Sequence, residues 1–142
     1  MAITLSTALR QYMMDFGINS AFDTTGLLEF HDGTRPTTAD TTATGTNTLA
    51  TITLPANAFL DPSTAGTMSK AGTWTTAAAS LSGTATWGRF KLTTDSGVTG
   101  TTDRRMDFNI GTSGADMNVT ATAITSGAPI TINSCAITTP AQ

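Results

Sequence analysis

The chain has 142 residues, with 7 basic and 10 acidic side chains, and its formal net charge is −3. Charged residues make up only 12 % of the chain, whereas Thr makes up nearly a quarter of it. The acidic balance and the scattered basic residues argue against nucleic-acid binding, and no apolar stretch is long enough to predict a membrane span. The length suits one domain, which we predict over 1–142, with an N-terminal helix over 1–17 and a β-sandwich over 26–138.

The first 17 residues are the helix candidate of the chain. Apolar side chains recur there at helical spacing, at Leu5, Leu9, Tyr12, Met13 and Phe16. Thr4 or Ser6 is expected to cap the start of this helix, and Gly17 to end it. The apolar stripe needs a surface that buries it, and two alternatives stay open: the protein's own sheet or a neighbouring subunit.

From residue 26 onwards the pattern becomes that of β-strands. The predicted strands cover 27–31, 49–54, 73–76, 84–92, 105–110, 117–122 and 130–137. The Thr-rich loop over 34–47 is long enough to suggest an interaction role. Short strands separated by turn signals are typical of an antiparallel β-sandwich or jelly roll, so we predict an all-β fold with a short N-terminal helix.

Alternation divides two of these strands into distinct faces. Trp87, Arg89 and Lys91 share one face of the strand over 84–92. Met106, Phe108 and Ile110 all face one way on the strand over 105–110.

Thr suits the pleated surface because it is β-branched, and its hydroxyl is polar without charge. A Thr-covered sheet therefore costs little to desolvate against another protein.

Residues that usually carry catalysis are scarce. His31 and Cys135 are the single His and the single Cys, and nothing in the sequence places them together as a base and a thiol nucleophile. The single Cys excludes an intrachain disulfide, which fits a reducing compartment. Arg10 interrupts the apolar run near the start, so we expect no signal peptide. We predict a protein that is not an enzyme and has no catalytic residue.

Metal and ligand sites are not indicated either. Structural zinc sites need several Cys and His ligands, and Asp103, Asp107 and Asp116 match no calcium-loop spacing. We therefore predict no metal, no cofactor and no small-molecule substrate. Three alternatives stay open for Trp74 and Trp87: packing in the core, a protein interface, or a platform on which sugars stack.

Several segments of the chain carry a resemblance to a known group of proteins. These are the opening "MAITLSTALRQYMMDFG", the strand and turn "LLEFHDGTRPTT", then "NTLATITLP", "KAGTWTTAAASLSGTATWGRFKL" and the Thr/Ser-rich ending. They resemble small β-rich structural proteins encoded in the head and structural gene clusters of tailed bacteriophages. The resemblance implies a virion component, assembled in the host cytoplasm and commonly a dimer or trimer. It carries over no functional residues, because such proteins act through surfaces.

The resemblance leads to one functional expectation with two alternatives. We expect a capsid decoration or cement protein whose partners are the major capsid protein and copies of itself. The alternatives are a tail, collar or spike component, and a carbohydrate- or receptor-binding β-sandwich. Contacts are expected from the N-terminal segment, the loop 34–47 and the loop over 61–70. The candidate interface residues are Leu5, Leu9, Met13, Phe16, Arg35 and Lys70.

Overall fold

The computed structural model describes residues 3–6, 9, 17–22, 25–60, 67–74 and 78–138, and most of this part is strand and connecting loop. The elements in chain order are β1 (Thr4–Leu5), α1 (Ile18–Phe22), β2 (Gly26–His31), β3 (Thr48–Thr53), β4 (Thr67–Ser69), β5 (Gly83–Thr84), β6 (Trp87–Leu92), β7 (Met106–Gly111), β8 (Met117–Val119), β9 (Ala123–Ile124) and β10 (Ile132–Thr138). The predicted all-β class is therefore confirmed.

One curled sheet contains most of the strands, in the order β3-β2-β6-β7-β8-β10-β4. β1 pairs with the beginning of β7, and β5 and β9 form a separate two-stranded sheet. The pairings are antiparallel except that of β7 with β8, which is parallel. Beyond β4, Phe59 forms a bridge with Lys70. Because Phe59 follows β3 by only a few residues, the curl brings the two ends of the sheet towards each other.

The core lies on the concave side of this sheet and centres on Phe90 of β6. The Phe90 ring contacts four other aromatic rings, with centroid distances between 4.7 and 5.9 Å, in Phe22, Phe59, Trp74 and Phe108. Gly88 lies two residues before Phe90 on the same face, where an added Cβ would come within 2.7 Å of the Phe108 ring. A side chain at position 88 would therefore displace the aromatic cluster.

The N-terminal helix predicted over 1–17 lies mostly outside the described residues. Within them, Thr4 and Leu5 form β1 rather than helix. The Ser6 hydroxyl accepts a hydrogen bond from the Leu9 N–H at 3.1 Å, which is the contact expected of a capping Ser. The same hydroxyl donates to the carbonyl oxygen of Asp103 and accepts from the Arg105 N–H, so Ser6 fixes this segment beside β7.

The strand boundaries differ from the prediction at several points. The strand predicted over 84–92 is two strands in different sheets, because Ala85 N–H bonds to Thr122 and Thr86 N–H bonds to His31. Residues 73–74 of the predicted strand 73–76 are irregular, and 75–76 lie outside the described residues. The Trp74 indole N–H donates to the Ala58 carbonyl oxygen at 3.0 Å. The predicted loop over 61–70 contains β4, which pairs with β10.

Candidate functional site

A layer of charged side chains covers the face of β2, β6 and β7 that points away from the core. Strand register aligns Glu29 with Arg89 and Arg89 with Asp107, side by side across the three strands. Two loops contribute further charges: the β2–β3 loop over 32–47 and the β6–β7 loop over 93–105. We call this set the charged layer, and its members are Glu29, His31, Arg89, Lys91, Asp95, Asp103, Arg105 and Asp107.

Arg89 and Asp107 form one of its two deeply buried ion pairs, the other being Arg105 with Asp95. The Arg89 Nε and Nη2 atoms donate to the two carboxylate oxygens of Asp107 at 2.6 and 2.8 Å. The side chains are only 3 % and 0 % exposed. Arg89 Nη2 also donates to the Thr41 carbonyl oxygen at 3.0 Å, which ties the β2–β3 loop to the sheet. Such a pair is sensitive to the loss of either partner, because the remaining charge would stay buried.

Arg105 fixes the second loop from beneath. Its side chain is fully buried, and its Nε donates to Asp95 at 2.6 Å while Nη2 donates to Asp103 at 3.1 Å. It also donates to the carbonyl oxygens of Asp40 and Val98, so one guanidinium joins both loops. Burial alone would raise the pKa of Asp95, but the hydrogen bonds from Arg105 and the Gly97 N–H, together with the Arg105 charge, lower that pKa overall. Hydrogen bonding to Asp95 in turn raises the pKa of Arg105.

Glu29 links the remaining members of the charged layer. Lys91 Nζ lies 2.7 Å from one of its carboxylate oxygens, and His31 Nε2 lies 3.3 Å from the other. Burial would raise the pKa of Glu29, but the hydrogen bonds with His31 and Lys91 lower it overall. The His31 ring stacks on Trp87 at a centroid distance of 4.2 Å, and the Arg89 guanidinium lies 5.5 Å from the Trp87 ring centroid.

The base of the β2–β3 loop is closed by side-chain hydrogen bonds. Asp32 accepts from the Asn47 N–H at 2.6 Å and from the Asn47 side-chain amide at 2.9 Å. These bonds lower the pKa of Asp32. Farther out, Thr42 and Thr99 join the two loops through their hydroxyls at 3.1 Å. The loop predicted for interaction is thus attached to the sheet at its base and along its length.

An open cleft of about 180 Å³ lies between the two loops, and its walls include Glu29, His31, Arg89, Lys91 and Arg105. Each of these five side chains already has a hydrogen-bonding or ion-pairing partner within the chain. Arg89 and Arg105 hold the loops on the sheet, whereas Glu29, His31 and Lys91 pair with one another on β2 and β6. Among the described residues, no group of three or more His, Cys, Asp or Glu side chains could hold a metal ion.

The predicted interface residues fall into three groups. Leu9 is buried in the protein's own core and Leu5 packs against that core, whereas Met13 and Phe16 lie outside the described residues. Arg35 is half-buried in the β2–β3 loop. Lys70 is half-buried after β4, where Nζ donates to the Gly72 carbonyl oxygen and lies 5.7 Å from the Trp74 ring centroid. Their contacts with a partner stay a prediction.

His31 and Cys135 are far apart in the sheet. β6, β7 and β8 lie between their strands, so no base and thiol pair forms. Cys135 is buried in the core, and burial raises the pKa of its thiol to about 12. Trp74 and Trp87 are 3 % and 1 % exposed, so neither offers a free ring face on which a sugar could stack.

The three Asp residues considered for calcium have separate partners. Asp103 pairs with Arg105, Asp107 pairs with Arg89, and Asp116 accepts a hydrogen bond from the Asn109 N–H at 3.0 Å. None of the helices in the described part of the chain is long and apolar enough to cross a membrane.

The charged layer itself was missed from the sequence. The available signal was the position of Arg89 and Asp107 in the middle of two strands, where alternation already assigned them to the face opposite Phe90 and Phe108. Charged residues are almost never fully buried unless they are paired. Partners 18 positions apart can be identified only when the register of the two strands is known.

The exposed surface of the described part of the chain carries few charged side chains. Every Asp, Glu, Lys and Arg that the structure describes there is buried or half-buried, and none is among its exposed residues. The exposed positions are instead rich in Thr, as at Thr51, Thr53, Thr84, Thr101 and Thr102. This distribution differs from the usual one, in which charged side chains are mostly exposed, although the half-buried ones such as Lys91 and Asp103 keep some contact with water.

Comparison with known proteins identifies no relative: no protein-family model matches the chain, and no curated protein and no solved structure shows significant similarity to it.

Proposed function

We propose that this chain is a non-enzymatic structural protein of a tailed-bacteriophage virion, and specifically a capsid decoration or cement protein that binds across the seams between capsomers. The observation that carries the proposal is the exposed surface of the described residues, which is rich in Thr and has none of the described charged residues among its exposed positions. Such a surface keeps polar groups in water, yet few ions have to be desolvated when it meets another protein. The phage assignment comes from the resemblance of the sequence segments quoted above.

The charged layer supports a structural role. Two buried arginines hold the β2–β3 and β6–β7 loops on the sheet, so this side of the protein is a fixed shape. A binding surface that is already ordered loses less conformational entropy on association. The curled sheet, with its two ends close together, is compatible with the sandwich or jelly-roll architecture, which we retain as part of the proposal.

The mechanism is stabilisation by mass action. A protein that binds the assembled shell, but not its separated parts, stabilises the shell by about 2.7 kcal/mol per site when its free concentration is a hundredfold above Kd. Many copies on one shell add these contributions. Self-association of the cement protein strengthens the effect further, because a second contact then forms within an already bound unit.

The copy number of the chain in purified phage particles tests the proposal. Quantitative mass spectrometry against the major capsid protein should give a simple ratio that corresponds to hundreds of copies per particle. Heads that lack the chain should then release DNA at a lower temperature, and addition of the purified protein should restore the original temperature. A count of a few to a few tens would reject the cement role and favour a tail, collar or spike component. Absence from particles would overturn both.

A further inference from the structure

His31 belongs to the one type of side chain that ordinarily changes its charge between about pH 5 and pH 8. The sequence contains a single His, and burial raises the pKa of the single Cys, Cys135, to about 12. The His31 side chain is only 2 % exposed and is held in place by stacking on Trp87. It nevertheless forms part of the wall of the open cleft between the two loops, which gives a proton a route to the ring.

A series of three polar contacts leads from β2 through the His31 ring to the β2–β3 loop. The ring nitrogen Nε2 lies 3.3 Å from a carboxylate oxygen of Glu29, and Nδ1 lies 3.5 Å from the hydroxyl oxygen of Thr46. The Thr46 hydroxyl donates in turn to the Ala43 carbonyl oxygen at 3.4 Å. This last contact closes the segment over 43–46, which we call the outer turn.

Only the protonated ring can form all three contacts at once. An imidazolium donates from both nitrogens, to Glu29 and to Thr46, and the single hydroxyl proton of Thr46 is then available to Ala43. A neutral ring with its proton on Nε2 takes up the Thr46 hydroxyl proton at Nδ1, so the Ala43 carbonyl oxygen loses its donor. A neutral ring with its proton on Nδ1 directs the lone pair of Nε2 at the Glu29 carboxylate.

Of the two neutral forms, the one that keeps the Glu29 contact is favoured. Burial would raise the pKa of Glu29, but its hydrogen bonds with His31 and Lys91 lower it, so Glu29 is an ionised acceptor. Hydrogen bonds to charged acceptors are stronger than those between neutral groups. Loss of the proton from the ring therefore breaks the contact between Thr46 and Ala43.

The charges around the ring compensate a proton on His31. The charged layer contains four carboxylates and three permanent cations besides His31, so a protonated His31 gives it four charges of each sign. The charged groups that surround the ring or its cleft are Glu29 and Asp32 from β2 and its end, Arg89 and Lys91 from β6, Asp107 from β7, and Asp95 and Arg105 from the β6–β7 loop. Among the described residues of β3 and the outer turn, the cleft walls include only uncharged side chains. The balance offsets the cost of burying the imidazolium.

We propose that His31 is a proton-operated latch for the outer turn. With the ring protonated, the contact between Thr46 and Ala43 closes the turn, and loss of the proton opens it. The closed form holds one more proton than the open form, so a falling pH closes the turn and a rising pH opens it. The base of the loop stays attached in both forms, because the hydrogen bonds between Asp32 and Asn47 do not involve the His31 ring.

The latch changes the shape of a loop surface and leaves the sheet beneath it intact. Thr44 and Gly45 at the centre of the outer turn are exposed. A protein that contacts this loop therefore meets the closed turn at low pH and the open turn at high pH. The inference goes beyond the proposed virion role and does not depend on it, since its test needs only the isolated protein.

Nuclear magnetic resonance of the isolated protein between about pH 5 and pH 8 tests the latch. The ring proton on Cε1 of His31 reports the protonation of the only His. The Thr44 N–H, which donates to the Thr42 carbonyl oxygen at 2.8 Å, reports the turn through its hydrogen-exchange protection, corrected for the intrinsic rate at each pH. This protection should fall about fivefold as the proton is lost, the factor for one hydrogen bond of about 1 kcal/mol. The Asn47 N–H, held by Asp32, should keep its protection.

Substitutions separate the latch from simple titration of the ring. His31→Gln keeps a donor for Glu29 but has no charge to lose, so the protection of Thr44 should not vary with pH. Thr46→Val leaves the ring able to titrate but removes the hydroxyl, so the response of Thr44 should vanish while the His31 resonance still moves. Thr46→Ser should restore the response. Thr37→Val makes the same change at an exposed residue of the same loop and should behave like the wild type.

Three results would overturn the proposal. They are a His31 resonance that does not move across this pH range, a Thr44 protection that stays constant while His31 titrates, and a response that survives in Thr46→Val. If His31→Gln does not fold, the two Thr46 variants are sufficient for the test, because they change only a half-buried loop residue. None of these results depends on the copy number of the chain in particles.

Discussion

Replacement of Asp107 by Asn is the sharpest test of the charged layer. The substitution keeps the size of the side chain but removes its negative charge, while Arg89 remains protonated and only 3 % exposed. The two residues face each other directly on β6 and β7, at 2.6 and 2.8 Å. The substitution therefore acts directly on the contact between Arg89 and position 107. The Arg89 charge then stays buried without its counter-ion.

The expected loss in the free energy of unfolding is about 3–5 kcal/mol, the range for removal of one partner from a buried pair. Domains are stable by about 5–15 kcal/mol, so Asp107→Asn should still fold but with much of its margin gone. At a urea m-value of about 2 kcal/mol per molar, the unfolding midpoint falls by about 1.5–2.5 M. The double variant Arg89→Met/Asp107→Leu should recover most of this loss, because it leaves no charge unpaired.

Urea unfolding followed by circular dichroism measures these values in one set of experiments. Lys91→Met is the matched control, since Lys91 also forms an ion pair on β6 but is 18 % exposed. It should cost less than about 1 kcal/mol, as pairs near solvent do. A loss below about 1 kcal/mol for Asp107→Asn would show that water reaches Arg89, and it would refute the buried layer. A double variant no more stable than Asp107→Asn would contradict the explanation by an unpaired charge.

Three further predictions concern the core, the pH dependence and the thiol. Gly88→Ala should destabilise the protein by about 1–3 kcal/mol through overpacking, whereas Gly100→Ala, where an added Cβ meets nothing within 4 Å, should be nearly neutral in the same urea assay. The folded-state pKa values of Asp95 and Glu29 are lowered, so their stabilisation is present above their ordinary values of 3.8 and 4.5 and is lost as the pH falls below them. The melting temperature should therefore fall steeply below pH 4.5, and a flat profile down to pH 3 would contradict this sign. Cys135, with a thiol pKa of about 12 and a buried side chain, should react with a thiol reagent at neutral pH only after unfolding. Rapid reaction of the native protein would show that β10 opens.

Local patterns in the sequence were sufficient to predict the strand-rich fold class and the positions of several strands. The strands predicted over 27–31, 49–54 and 105–110 agree with the structure to within one residue at each end, because period-two alternation is a property of the local chain. The split between β5 and β6 was not predictable in this way. It depends on hydrogen bonds from residues 85 and 86 to residues distant in sequence, and no local pattern encodes those partners.

The candidate site shows the same division more clearly. The sequence by itself determined that Arg89 and Phe90 lie on opposite faces of one strand, since neighbouring side chains in a strand must point to opposite sides. Only the tertiary structure decided that both faces are buried, one by the aromatic core and the other by two loops. Alternation separates two faces but does not say what covers either of them. That depends on strand register and loop path, which bring Asp107 and Thr41 to one guanidinium from 18 and 48 positions away.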